Sequence, residues 1–227
     1  VLVSISSSFA QKSNISFIPI EHATFLIKTE NLKILVDPGR IDINKYNEAH
    51  NPDLILITHH HGDHLDLDII KKLKGDNTKI IASKIVVNKI NSGQIINNNE
   101  TTMFGKIKIQ AIPMYNTTPE RHKYHIKSEG NGYIITIGKE RIYISGDTED
   151  IPEMRSLKNI DVAFICMNLP YTMTPEQAAS AVLEFKPKVV IPYHYRTKDV
   201  SNDEILERFT KIVAANKKIS IDYLKWY

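Results

Sequence analysis

Short runs rich in apolar, β-branched and aromatic residues recur along most of the chain, at the length and spacing of strands rather than long helices. Ser16 to Ile20, Thr24 to Thr29 and Leu32 to Val36 are parted by brief polar breaks and predict an antiparallel meander. Leu54 to Ile57 is apolar at every position, which suits a strand covered on both faces. The period then lengthens, and Leu67, Ile70 and Leu73 predict the buried face of a helix from about Asp66 to Lys74. Ile80 to Ala82 and Lys106 to Pro113 read as further strands, with a helix over Ser83 to Ile90 between them.

The second half repeats the theme, with strands expected at Tyr133 to Ile137, Arg141 to Ile144, Val162 to Met167 and Val189 to Ile191. Two helix starts are marked. Thr174, followed by Pro175 and Gln177, is a capping box with proline at the first helical position, opening a helix to Phe185. Ser201 with Glu204 reads as a second box, and Ile205, Phe209, Ile212 and Val213 follow at helical spacing. Strands and helices mixed in both halves imply two mixed sheets packed face to face with helices outside, a four-layer αββα sandwich of the α/β class.

The chain has 227 residues, 42% hydrophobic and 24% charged, enough to bury a sizeable core. Its net charge is +3, with both signs interspersed, which argues against a dedicated nucleic-acid or membrane-surface binder. Stable membrane insertion is not expected, and the partner expected is a small-molecule substrate. The single cysteine, Cys166, rules out an internal disulfide framework, and its apolar setting places it in the core. Val1 to Ala10 is small and apolar, with Ser8 and Ala10 where a secretory cleavage site would need them. Residues 1–13 are accordingly read as a tail or signal-peptide remnant and 14–227 as one domain, with a periplasmic location favoured over a cytoplasmic one.

The candidate chemistry lies in Thr58-His59-His60-His61-Gly62-Asp63-His64, immediately after the apolar run Leu54 to Ile57. His59, His61, Asp63 and His64 form the pattern H-x-H-x-D-H. A tight loop leaving a rigid strand can aim two imidazoles at one metal while the next carboxylate and imidazole turn toward a second. Imidazole and carboxylate together suit zinc, manganese or iron rather than a soft thiolate site. His60 is expected to point away. Two metal sites need further donors at other strand ends, and Asp147 in Ser145-Gly146-Asp147-Thr148 and His194 in Ile191-Pro192-Tyr193-His194 occupy such places.

With these motifs the chain resembles the metallo-β-lactamase superfamily, and in particular its small metal-dependent hydrolases similar to ascorbate-6-phosphate lactonase. The resemblance runs from about Asn14 to Tyr195. It is carried by Glu21-His22-Ala23-Thr24, Ile34 to Gly39, Thr58 to His64, Tyr115-Asn116 with His125, Gly132-Tyr133, Ser145 to Thr148, and Ile191 to Tyr195. It implies two divalent metal ions, zinc first, with manganese or iron as alternatives. By resemblance, His59 and His61 match first-metal ligands, Asp63, His64 and His194 match the second-metal set, and Asp147 matches a bridging carboxylate. For the third first-metal histidine His125 is preferred, because His125-Ile126-Lys127 precedes Gly130-Asn131-Gly132-Tyr133; His122 is the alternative. Asp37 is expected to brace the metal loop. His22 is assigned to substrate contact or proton donation, with a structural hydrogen bond as the other reading.

The mechanism implied is metal-assisted hydrolysis, a metal-held hydroxide attacking an ester, lactone or phosphodiester, with Asp63 both binding metal and orienting the nucleophile. Rival readings are a mononuclear iron thiol dioxygenase on the same fold and a phospholipase-type phosphodiesterase. A nuclease, an inactive scaffold and a β-lactamase are each disfavoured, the last because β-lactam enzymes usually lack a carboxylate at the Asp147 position. Tyr115, Tyr171, Tyr193 and Tyr195 are candidate pocket residues.

Overall fold

The three opening runs form the expected meander. In the computed structural model, which describes residues 15–227, β1 (Ser16–Glu21), β2 (Thr24–Thr29) and β3 (Leu32–Val36) pair antiparallel. The secretory reading of residues 1–10 lies outside the described residues. β4 (Leu54–Ile57), β5 (Lys79–Ala82) and β6 (Gln94–Ile95) add in parallel to complete a six-stranded sheet in chain order. Helices α1 (Leu67–Leu73) and α2 (Lys84–Ile90) make the crossovers.

The second sheet follows the same plan with seven strands. Here β7 (Thr101–Phe104), β8 (Ile107–Met114), β9 (Gly130–Ile137) and β10 (Glu140–Ile144) are antiparallel. The strands β11 (Val162–Cys166), β12 (Val189–Tyr193) and β13 (Ser220–Ile221) continue in parallel. Between them run α3 (Pro152–Arg155), α4 (Pro175–Phe185) and α5 (Asn202–Val213).

The strand period of two sorts side chains between layers. In β4, Leu54 and Leu56 join the core shared with the second sheet, whereas Ile55 and Ile57 pack with Ile69, Ile70 and Leu73 of α1 and Val86 and Val87 of α2. Phe25 of the first sheet stacks on Phe164 of the second at 4.3 Å, and Tyr193 and Trp226 close around them. Fully burying a side chain of this size contributes about 1.5–3 kcal/mol. The other face of the second sheet meets α4, where Phe185 packs edge-on to Tyr143. These are the expected four layers. Cys166 is fully buried, and burial pushes its thiol up to about 12. No described helix is long and apolar enough to cross a membrane.

Three local expectations need correction. Leu67 is 51% exposed, because it occupies the first helical position, and Leu65, just before the Asp66 cap, packs in that layer with Ile69. The Thr174 box has both of its hydrogen bonds, but at Ser201 only the hydroxyl accepts from Glu204 N, the Glu204 side chain facing Arg208 instead. β9 begins at Gly130 rather than Tyr133. A Cβ on Gly132 would lie 2.9 Å from the Ile144 and Ser145 carbonyl oxygens, so glycine lets this part of the strand press against the segment that carries Asp147.

Candidate metal centre

The strands β3, β4, β10, β11 and β12, each parallel to at least one neighbour, release Asp37, Thr58 to His64, Asp147, Asn168 and His194 from their carboxyl ends, the usual place for a site in such sheets. The β1 to β2 turn adds His22, and the β8 to β9 connection adds His125.

These side chains converge in three donor groups, His59 with His61 and His125, His59 with His64 and Asp147, and His22 with Asp63 and His194. Within each group the donor atoms lie within 4.8 Å of one another. His60 is in none of them. His122 turns away, its Nε2 2.8 Å from Thr117 O, so the structure brings His125 to the cluster and leaves His122 outside it.

The spacing of the donors tests whether metal ions fit. Asp147 Oδ1 is 3.4 Å from His64 Nε2, and Asp147 Oδ2 is 3.4 Å from His194 Nε2 and 3.5 Å from His125 Nε2. Such distances are long for charge-assisted hydrogen bonds, and Nε2 of His64, His125 and His194 and Oδ1 of Asp147 are buried without a hydrogen-bond partner among the described residues. They match the edge of a tetrahedron of donors around a cation with bonds of 2.0–2.1 Å, roughly 3.3–3.4 Å. The residues therefore fit divalent ions.

The rings are aimed from behind. Asp37 Oδ1 accepts from Thr58 N at 2.7 Å, and Oδ2 accepts from Thr58 Oγ1 at 2.7 Å and His64 Nδ1 at 2.8 Å. With its proton given to Asp37, the Thr58 hydroxyl can accept from His59 Nδ1 at 3.1 Å. His59 and His64 are thus set to offer Nε2 inward, the role such outer partners play in metal sites. His194 Nδ1 lies 2.9 Å from Asn168 Nδ2, and with the amide turned so that its oxygen faces the ring, Nδ1–H would donate and leave Nε2 free. Asn168 and Thr58 carried no assigned role in the sequence, although both follow strand ends.

The metal loop is laced to the neighbouring segment by Arg40 N to Gly62 O at 2.8 Å and Asp66 N to Pro38 O at 2.9 Å. Between these bonds a Cβ on Gly39 would fall 2.0 Å from Asp63 O, which is backbone and has no easy escape. Gly39→Ala should therefore displace the loop, cost about 1–3 kcal/mol and weaken metal binding. Denaturant unfolding with metal analysis checks this; an unchanged midpoint and metal content would refute it.

Burial pushes His59 well below its ordinary value and His125 down to about 4, and it lowers His61 too, leaving neutral rings with free lone pairs. His64 moves the other way. Burial opposes its charge, but Asp147, Asp63 and Asp37 outweigh burial and raise it well above the usual range. Asp63, with a side chain 45% exposed, is held low because His64 and His194 outweigh its desolvation.

A cavity of about 320 Å³ opens beside the donors and is walled by Tyr124, Asn168 and Tyr171, the two tyrosines meeting edge to face at 5.0 Å. A larger concavity of about 730 Å³, lined by Lys74, Gly75 and Asp76 and by Ser92 to Gln94, holds no histidine and lies apart from this chemistry. Of the four candidate pocket tyrosines only Tyr171 lines the cavity beside the donors. Tyr115 lines an adjoining groove and donates to Glu153, while Tyr193 and Tyr195 are buried packing residues because β12 and the residues after it turn them into the core.

Glu149 was not singled out by sequence, yet it ties this region together. Its Oε2 accepts from Thr117 N and Thr118 N at 2.6 Å and from Thr117 Oγ1 at 2.9 Å, and Oε1 accepts from Arg121 Nη1 at 2.8 Å. Burial acts to raise its pKa, but the donors of Thr118 and Thr117 outweigh it and hold the group at about 2, below the ordinary 4.5. A depressed carboxylate stabilises the fold fully above its unfolded value and loses that contribution as pH falls through its folded value. Exchange protection of the Thr117 and Thr118 amides, corrected for intrinsic rates, should fall between pH 4.5 and about 2, and Glu149→Gln should show the loss already at neutral pH. Protection independent of both would refute the clamp.

Comparison with known proteins places the chain in a family. The β-lactamase superfamily domain matches residues 16–194. The chain belongs to the β-lactamase superfamily. Within it, a UPF0173 metal-dependent hydrolase of Thermococcus onnurineus is 33% identical over 219 residues, covering 88% of this chain and 92% of the relative. The crystal structure of a candidate metal-dependent hydrolase from Parabacteroides distasonis is 40% identical, with a TM-score of 0.83 and 92% of each chain covered. A metallo-β-lactamase fold protein of Bacillus subtilis shares the fold at a TM-score of 0.71 and 14% identity, covering 92% of this chain and 91% of that one. None of these names carries a substrate, so the finer likeness to ascorbate-6-phosphate lactonase rests on the sequence motifs alone.

Proposed function

We propose that this superfamily member is a metal-dependent hydrolase of a small ester, lactone or phosphodiester. His59, His61 and His125 would hold one divalent ion, Asp63, His64 and His194 a second, and Asp147 would lie between them, with zinc the first candidate. The observation that carries this reading is the ring of partnerless, buried donor atoms around Asp147, spaced as metal ligands are. Bound there, the ions would polarise the reacting group and supply a nucleophile near neutral pH.

The chain's own residues do the rest. Asp37 fixes the tautomer of His64, and Thr58 that of His59. Asp63 is the most exposed of the seven donors, which suits it to orient the nucleophile at the mouth. Tyr124 and Tyr171 exclude water from one side and limit the substrate's size, since about 320 Å³ is at the small end of ligand pockets.

Elemental analysis of the untagged chain, with phosphodiester, lactone and ester assays before and after chelation, tests the proposal. About two metal equivalents and chelator-sensitive turnover are expected. Absence of metal, or turnover indifferent to chelation, would overturn it.

A further inference from the structure

The seven donors proposed for the two ions leave out His22, which the sequence assigned to substrate contact or proton transfer. His22 sits at the β1 to β2 turn with φ +59°, a backbone that residues with a side chain adopt only under constraint. Its Nε2 is 3.4 Å from Asp63 Oδ2, and that same oxygen is 3.3 Å from His194 Nε2. Both separations are again those of donors around one cation, and the three side chains form a complete donor group of their own.

The rest of the ring's surroundings fix which nitrogen faces inward. His22 Nδ1 is 3.0 Å from the Tyr227 hydroxyl, which also accepts from Arg196 N at 3.3 Å. Donating Nδ1–H to that hydroxyl leaves the Nε2 lone pair toward Asp63 and His194. His194 is itself held at φ +49°, its N–H donates to His22 O at 3.3 Å, and the two rings lie 3.9 Å apart. Two strained histidines are thus fastened to each other with both Nε2 atoms on one carboxylate oxygen.

We infer that His22 Nε2 is a further ligand of the second metal ion, beside Asp63 and His194, and that Tyr227 is the positioning residue that fixes the nitrogen His22 presents. This rests on the dinuclear reading above. It removes His22 from the role of proton donor to a leaving group, because its one inward lone pair is taken.

Cobalt(II) added stepwise to the metal-stripped full chain tests the inference without any substrate, through visible absorption and retained stoichiometry after dialysis. The unsubstituted chain should retain two equivalents. His22→Gln should keep one and bind the other at least ten-fold more weakly, with a changed cobalt spectrum. Tyr227→Phe, a mild change at a partly exposed ring, should weaken the same equivalent several-fold and shift the same bands, and it decides the matter if His22→Gln does not fold. Two equivalents held with the original affinity and spectrum in the folded variants would overturn the inference while leaving the dinuclear reading standing. No cobalt uptake by the unsubstituted chain would overturn both.

Discussion

Asp147→Ala should fold and should lose both metal and hydrolysis. The carboxylate is buried, its two oxygens reach Nε2 of His64, His125 and His194, and among the described residues Oδ1 has no hydrogen bond to lose. Its contacts are with ring nitrogens rather than with backbone, so removing it leaves the strand ends tied as before. His64 loses the first of the charges that raise its pKa, and a ring stripped of that partner is more readily neutral in a dry site. Loss of an outer partner costs roughly 10–100-fold in metal affinity or activity, and loss of the central carboxylate should exceed that and bring turnover to background. His61→Ala should behave alike, since His61 stands with His59 and His125 on a partly exposed loop. Circular dichroism establishes the fold, elemental analysis the metal, and chelator-sensitive turnover the activity; full activity in either variant would defeat the proposed function.

Asp37→Ala should damage stability and metal binding together. Asp37 is fully buried and accepts from Thr58 N, Thr58 Oγ1 and His64 Nδ1, so alanine strands three donors where water does not reach. Breaking a buried charged pair by removing one partner costs about 3–5 kcal/mol, and the freed rings should lose about 10–100-fold in metal affinity. Its φ of +47° adds to the penalty for alanine, whereas asparagine tolerates that backbone. Asp37→Asn should therefore recover part of the stability without recovering metal affinity, because its amide cannot accept at both oxygens' positions. Urea unfolding and competition with a chelator measure the two effects, and original values for both in Asp37→Ala would refute the bracing role.

Much of the frame follows from local pattern. Leu54 to Ile57 is apolar throughout because helices cover one face of its sheet and the second sheet the other, and the histidine loop leaves its end where the chain escapes the core. Thr174 and Gln177 cap α4 through bonds between near neighbours in sequence. The short edge strands β6, β7 and β13 are not legible in the sequence because two to four residues carry too little periodicity, and their places are set by pairing with neighbours.

The linear pattern of residues thus specifies the αββα layering, the H-x-H-x-D-H loop after β4, and the strand-end positions of Asp147 and His194, all consequences of short-range periodicity and of where strands stop. The motif prefers His125 over His122, but packing in three dimensions brings His125 to His59 and His61, sets Glu149 to clamp the neighbouring loop, and carries Tyr227 to His22 across the fold. Those outcomes depend on how two twisted sheets seat against each other, which brings residues far apart in sequence within bonding distance, and no local pattern encodes that seating.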